Sequence, residues 1–519
     1  MKIKPDDIEI PHDDPFRHDL LDRKQSILIL TNLLQNLETP YTMSIDASWG
    51  NGKTTFLNIW KQHLENEDFP VVSFNAWDTD FAEYPLIALT SELLNTLQTL
   101  DDDGDLGLDA IEATLPRIHK IALTKTIPWM ISLAGVIGGI QANDPSVALL
   151  GNTLSAGMAG TMEEMTRVEH TDDPTEPFTY IEAKEAINSF RNALANTAEI
   201  LSDRLGGKPL VIAVDELDRC RPSYAVELLE VVKHFFSVNN VVFVLAIDKT
   251  QLTHAIKAIY GTEFDAIGYL RRFIDLDFRL PAPDRTRFMK DLMNQTLLQQ
   301  FFEDYPGHSW GESDDTQLLL RAFLNLPSLS LRQIQQTMHR LGLVLASLDS
   351  PSTNICFGAI AVLVILKTID PEVYHQFIQS DMTDKEVSDK LFDKPGLQVI
   401  RTTREGSLFD ALLAMGYCEF FLANSREPTL ANSGEPKLDT NSLFHHYYHI
   451  IESMGDFPVA NLSPDMESPS LTPHEIGVLN HFRTHFLMFN AVKVGNPVGF
   501  NLTVKRLELF SDDLSGNNS

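Results

Sequence analysis

Ser44-Ile45-Asp46-Ala47-Ser48-Trp49-Gly50-Asn51-Gly52-Lys53-Thr54-Thr55 lies between an apolar run, Tyr41 to Ile45, and a helical pattern, Thr54 to Leu64. It reads as a phosphate-binding loop. The usual pattern is Gly, four residues, then Gly-Lys-Ser/Thr. Gly52-Lys53-Thr54 is intact, and Ala47 stands where the first Gly belongs. In such a loop the backbone N–H groups turn inward and, with the helix N-terminus, bind an anion. Trp49, Gly50, Asn51, Gly52, Lys53, Thr54 and Thr55 are therefore the candidate nucleotide-binding residues. Lys53 would reach the outer phosphates as a point charge, and Thr54 would ligate Mg²⁺. Gly50 and Gly52 allow close backbone approach and unusual φ/ψ angles. The plain alternative is a Gly-rich turn before a helix, and the strand–loop–helix context weighs against it.

A second half of the site stands further along. Leu210-Val211-Ile212-Ala213-Val214-Asp215 is an apolar run ending in an acid, the pattern of a buried parallel strand. Ligands bind beyond the carboxyl ends of such strands, so Asp215-Glu216 would lie beside the loop. Asp215 would hold the Mg²⁺ shell through water, and Glu216 would orient or deprotonate the attacking water. Asp218-Arg219 adds another acid in the same turn. Val241 to Asp248 is a second buried strand. Asp248 at its end either senses the γ-phosphate or caps the helix Thr250 to Tyr260. Arg271-Arg272 is either an arginine pair lent to a neighbouring subunit's site or a surface salt bridge. Arg332, at the start of a helix, either reaches nucleotide or is an exposed helical arginine.

Outward from these motifs the chain alternates strands and helices up to Pro281, which implies a parallel sheet with helices on both faces. Further strands are expected at Pro70 to Phe74 and Ile274 to Leu280. Helices are expected at Arg23 to Leu37, Pro85 to Leu100, Thr179 to Leu205 and Ser223 to Phe236. Beyond Pro281 the pattern is helical: Asp284 to Phe302, Thr316 to Leu324, Ser330 to Leu348 and Ile355 to Thr368. This divides the chain into an N-terminal segment 1–40, a core 41–281 with an apolar insertion near 101–170, a helical lid 282–348 and a mainly helical region 349–519. Residues 346–519 carry no readable motif. His445-His446-Tyr447-Tyr448-His449 lacks a completing Cys or acidic pattern and reads as core or surface aromatics rather than a metal site.

At 519 residues and 43% hydrophobic content the chain has the makings of two or three globular domains. Cys220, Cys356 and Cys418 are far apart, which fits a reducing compartment and neither a disulfide scaffold nor a zinc site. The first residues hold no apolar core, so no secretory signal is visible and a cytoplasmic location is expected. A net charge of −31 repels phosphate backbones and argues against broad nucleic-acid binding. Ile127 to Gly160 is almost uncharged. Its best apolar window falls short of about 20 residues, so membrane contact stays open beside buried helices, an interfacial segment or a partner-binding surface.

Five signatures in order make the chain resemble the KAP family of P-loop NTPases. They are Asp19-Leu20-Leu21-Asp22-Arg23, the Trp49 to Thr54 loop, Phe74-Asn75-Ala76-Trp77, Val214 to Cys220, and Tyr269-Leu270-Arg271-Arg272-Phe273-Ile274. The resemblance spans roughly residues 15–345. It implies an α/β P-loop NTPase fold, a parallel sheet flanked by helices, with a mainly helical lid and C-terminal region. It also implies ATP as the nucleotide, with Mg²⁺; the residues themselves do not separate ATP from GTP. Family members often insert transmembrane helices between the two nucleotide motifs, where Ile127 to Gly160 falls. Glu216 replaces the second Asp of many members and keeps a carboxylate. Turnover is expected to depend on a homo-oligomer or a partner effector protein. Bacterial members are associated with phage exclusion or defence, animal members with membrane signalling scaffolds, and neither role follows from these residues.

Overall fold

A computed structural model of the chain describes residues 9–82, 84–101, 103–123, 180–235, 237–295, 312–347, 357–379, 381–424, 443, 472–481 and 507–508. The expected segments 127–160 and 445–449 lie outside these residues. Packing divides the chain between Pro283 and Asp284, giving one compact unit over Ile8–Pro283 and another from Asp284 onward.

In the first unit five strands form one parallel sheet: β1 (Tyr41–Asp46), β2 (Val71–Asn75), β3 (Leu210–Asp215), β4 (Val241–Ile247) and β5 (Leu276–Arg279). Their spatial order is β2-β3-β4-β1-β5. Every residue of β3 and β4 is buried, because these central strands are covered on both faces and so read as unbroken apolar runs. One face packs its Met43, Ile45, Val211, Ala213, Val242 and Val244 under α1 (Lys24–Leu34) and α2 (Lys53–Asn66). The other face packs Phe74, Ile212, Val214, Phe243 and Leu245 under the remaining helices. These are α3 (Pro85–Leu100), α4 (Leu108–Leu123), α5 (Tyr180–Arg204), α6 (Pro222–Phe235), α7 (Lys249–Tyr260) and α8 (Ala266–Leu270).

Register aligns the carboxyl ends of the strands into one edge. Asn75 stands opposite Asp215, Asp215 opposite Ala246, and Asp46 lies between Ile247 and Arg279. The loops leaving β1, β2 and β3 at this edge carry sequence motifs, and Asp248 follows β4. α4 falls within the segment read as an apolar insertion. It buries Ile111, Ile118 and Ile121 and packs against α3 and α5, so the first part of that segment belongs to the core. Pro116 inside it interrupts the sequence look of a helix.

The second unit contains α9 (Arg285–Gln295), α10 (Glu312–Leu324), α11 (Leu331–Ala346), α12 (Phe357–Ile369), α13 (Pro371–Ile378), α14 (Asp384–Phe392), α15 (Gln398–Arg401) and α16 (Arg404–Asn424). α12 is apolar all round and buried from Ile360 to Leu366, with α10, α11, α13 and α16 packed about it. Among the described residues no helix is long and apolar enough to cross a membrane.

Candidate nucleotide site

The loop of residues 47–52 joins β1 to α2. Gly50 (φ 76°) and Gly52 (φ 81°) take left-handed conformations that an L side chain disfavours. Ala47 has an ordinary negative φ, and its N–H donates to the Ile247 carbonyl at 3.2 Å. A Cβ there is compatible with the loop, which explains physically how Ala replaces the usual Gly. α2 begins at Lys53, so its free N–H groups and dipole face the loop. Thr54 is exposed and Thr55 half-buried, and the Asn51 N–H closes the turn on Ser48.

Lys53 is 9% exposed. Its Nζ donates to the Ala47 carbonyl at 2.7 Å and lies 3.6 Å from an Asp218 carboxylate oxygen. Asp218 also accepts the indole N–H of Trp49, while its Oδ1 is buried without a hydrogen-bond partner. The backbone N–H of Trp49 donates to Asp248 Oδ2 at 3.0 Å. Asp248 Oδ1 accepts from Thr250 and Gln251 at the start of α7. Asp248 is thus a helix cap and also an anchor of the loop, with both oxygens engaged.

Asp215 is 8% exposed, with the Thr54 side chain beside it. Burial pushes its carboxyl above the usual range, opposed by the Thr54 side chain and by the Glu216 N–H donated at 2.8 Å. Glu216 holds φ 60°, ψ 21°, an unusual conformation for a non-glycine residue that turns its side chain away from the strand line. Its Oε1 pairs with Arg219 at 2.5 Å, and its Oε2 lies 3.5 Å from Asn75 Nδ2. Burial raises its pKa and Arg219 opposes the rise. The Arg219 guanidinium lies over the Trp77 ring, 5.5 Å from its centroid. Asn75 orders the turn that carries Trp77, accepting the Trp77 N–H at 3.0 Å and donating to Asp78 at 2.7 Å.

The structure therefore brings Trp49, Lys53, Thr54, Asp215, Glu216 and Asp248 to one edge of the sheet. Among the described residues Arg271 and Arg272 make no hydrogen bond or ion pair with them. Arg271 instead lines a cavity of about 550 Å³ with Lys249, His254 and Asp277. Arg332 is exposed on α11 of the other unit. Sequence reasoning gave no role to Asp218, Asn75, Trp77, Arg219 or Arg23. All five stand in quoted motifs, and their roles follow only from contacts between segments apart in sequence.

Arg23 lies at the same edge and is 2% exposed. Asp19 spends its carboxylate on the N–H groups of Leu21, Arg23 and Lys24, fixing the start of α1. The guanidinium donates from Nη1 to the Pro281 carbonyl, while Nε and Nη2 have no partner. Burial lowers its pKa to about 10, so it stays charged at neutral pH.

The donor set fits Mg²⁺, which takes one or two protein oxygens and completes its shell with water and substrate phosphate. Thr54 touches Asp215, and the orphaned Asp218 Oδ1 lies in the adjoining turn. Strand, loop and helix N-terminus, facing an acidic strand end, define a P-loop domain. A family model, the KAP family P-loop domain, matches residues 23–348, and the chain belongs to that family. A stretch of 74 residues is 31% identical to the phage T7 exclusion protein of Escherichia coli, covering 14% of this chain and 10% of that protein. An uncharacterized protein of Methanocaldococcus jannaschii is 24% identical over 185 residues, 34% of this chain and 89% of that protein.

Proposed function

We propose that the chain binds ATP with Mg²⁺ at the loop and hydrolyses it, the cycle driving a conformational or assembly switch in bacterial anti-phage defence. The observation that carries the enzymatic part is the meeting of the loop with the acidic turn after β3, where Lys53 Nζ lies 3.6 Å from Asp218 and the Trp49 indole donates to the same carboxylate. Thr54 and Asp215 would hold the metal, which neutralises phosphate charge when bound. Lys53 would leave the Ala47 carbonyl for the outer phosphates. Glu216, released from Arg219, would take a proton from the attacking water. Trp49, Gly50, Asn51, Gly52 and Thr55 complete the binding loop, and Asp248 steadies it through the Trp49 N–H. Arg271 or Arg272 of a neighbouring copy, or a partner effector, would complete the site. Both arginines are exposed at the end of α8. The defence role rests on the short match to the phage exclusion protein.

A second reading is a nucleotide-gated scaffold, at a membrane or on a partner, with little intrinsic hydrolysis. The 2.5 Å pairing of Glu216 with Arg219 favours it, because a neutralised base is a poor one. ATP turnover by the purified chain, beside Lys53→Ala and Glu216→Gln, separates the two. Equal phosphate release from all three proteins would sink the hydrolytic reading, and tight binding without turnover in the unmodified chain would favour the scaffold.

A further inference from the structure

Arg23 combines three properties that a purely structural arginine rarely has together. It is buried, it is charged at neutral pH, and two of its donors are unsatisfied. The unsatisfied pair is Nε–H and Nη2–H. These two point the same way along one edge of the planar guanidinium, the edge that makes bidentate contacts. The third nitrogen is committed to Pro281, so the side chain is held with that edge free. Buried guanidinium donors are ordinarily satisfied, and here Asp19 offsets the charge while these two N–H groups stay without a partner and away from bulk water.

The sheet order says which end of a nucleotide would lie there. The loop springs from β1. Asp215 ends β3 on one side of it, with β4 and Asp248 between. On the other side lies β5, whose continuation places the Leu280 N–H on the Asp46 carbonyl at 2.9 Å and Pro281 against Arg23. A nucleotide with its terminal phosphate toward Asp215 and Glu216 runs its other end toward β5. We propose that the Nε–Nη2 edge of Arg23 contacts the nucleoside half of the bound nucleotide, donating two parallel hydrogen bonds to its acceptor atoms. This rests on the reading of the loop as a nucleotide site.

The test is calorimetric titration of the full chain, with Mg²⁺, against a non-hydrolysable ATP analogue and against inorganic tripolyphosphate, which has no nucleoside. Arg23→Lys keeps the charge and loses the fork; Arg23→Gln loses both. Both variants should bind the analogue about tenfold or more weakly, the scale of a lost hydrogen bond from a charged donor, with tripolyphosphate affinity within about twofold of the unmodified chain. Unchanged affinity for the analogue would overturn the proposal and leave Arg23 as an anchor for Pro281. An equal loss for both ligands would overturn the nucleoside assignment in favour of a phosphate contact. If the unmodified chain binds neither ligand, the nucleotide reading itself fails. Should the variants not fold, photo-crosslinking of the unmodified chain with an azido-purine nucleotide decides. Adducts on residues 16–24 or 276–283 support the proposal, and adducts only elsewhere overturn it.

Discussion

Asp215 in the P-loop unit is 8% exposed and Asp410 in the helical unit is 2% exposed, and each carboxylate has hydroxyl- and nitrogen-bearing neighbours. Around Asp410, Ser407 and His474 complete a set that by composition matches a nucleophile triad. His474 Nε2 lies 3.0 Å from Asp410 and Nδ1 lies 3.2 Å from the Ser407 hydroxyl. Yet Ser407 is 4% exposed and also faces the carbonyls of Thr403 and His474. A Cβ at Gly477 would come within 2.6 Å of its oxygen, so the helix over 473–481 walls it in. The set staples that helix to α16. Around Asp215 the neighbours are an exposed Thr54, helix N–H groups without partners in the helix, and Asp218 with its orphaned Oδ1. Burial thus means different things: one cluster ties two helices together, although Asp410 Oδ1 is unpartnered, and the other stands at the helix start of a phosphate loop.

The comparison can be broken at several points. Glu216→Gln should slow ATP turnover by roughly 10²–10⁴-fold, the contribution of general base catalysis, while binding persists. A steady-state phosphate assay beside titration of nucleotide reads both. In the helical unit, His474→Ala leaves Asp410 buried without its partner. It should lower stability by on the order of 3 kcal/mol in chemical denaturation with nucleotide affinity unchanged. A hydrolytic activity that vanished with that variant would show the staple to be a site after all.

Smaller effects sharpen the picture. Lys53→Ala should weaken nucleotide binding by about 10–100-fold, the loss of hydrogen bonds from a charged donor, as calorimetry would register. Turnover should fall on acidification above the ordinary carboxylate range, because burial raises the Glu216 pKa and its proton is therefore retained to higher pH. The same shift means that charging Glu216 costs stability as pH rises through the raised value. In Glu216→Gln that acid limb should disappear from the residual rate. Ala47→Gly should move affinity least, because Ala47 already has an ordinary φ and its carbonyl is the part in use. A gain from no binding to strong binding would mean that the loop geometry is wrong.

The strands and the loop were legible because burial on both faces forces a continuous apolar run, and a phosphate loop demands Gly at left-handed positions. Strands β3 and β4 fall where Leu210 to Asp215 and Val241 to Asp248 were expected, one residue shorter in the second case. Asp248 was readable as a cap but not as the anchor of Trp49, since that contact joins residues 199 apart. α4 went unread because Pro116 interrupts it, α13 to α15 because they are short at 8, 9 and 4 residues, and α16 because it is buried all round from Gly406 to Tyr417. Family resemblance singled out Asp19 to Arg23 without saying what the segment does.

Sequence by itself determined the class of fold, the loop, the acidic strand end and membership of a P-loop family, all consequences of local pattern and strand burial. Tertiary structure decided which acids meet which cations: Asp218 holds Lys53 and Trp49, Arg219 holds Glu216, and Arg23 reaches Pro281 with one edge left over. The reason is physical. Strand order and register place chain-distant side chains within hydrogen-bond reach, and nothing in a linear pattern carries that distance.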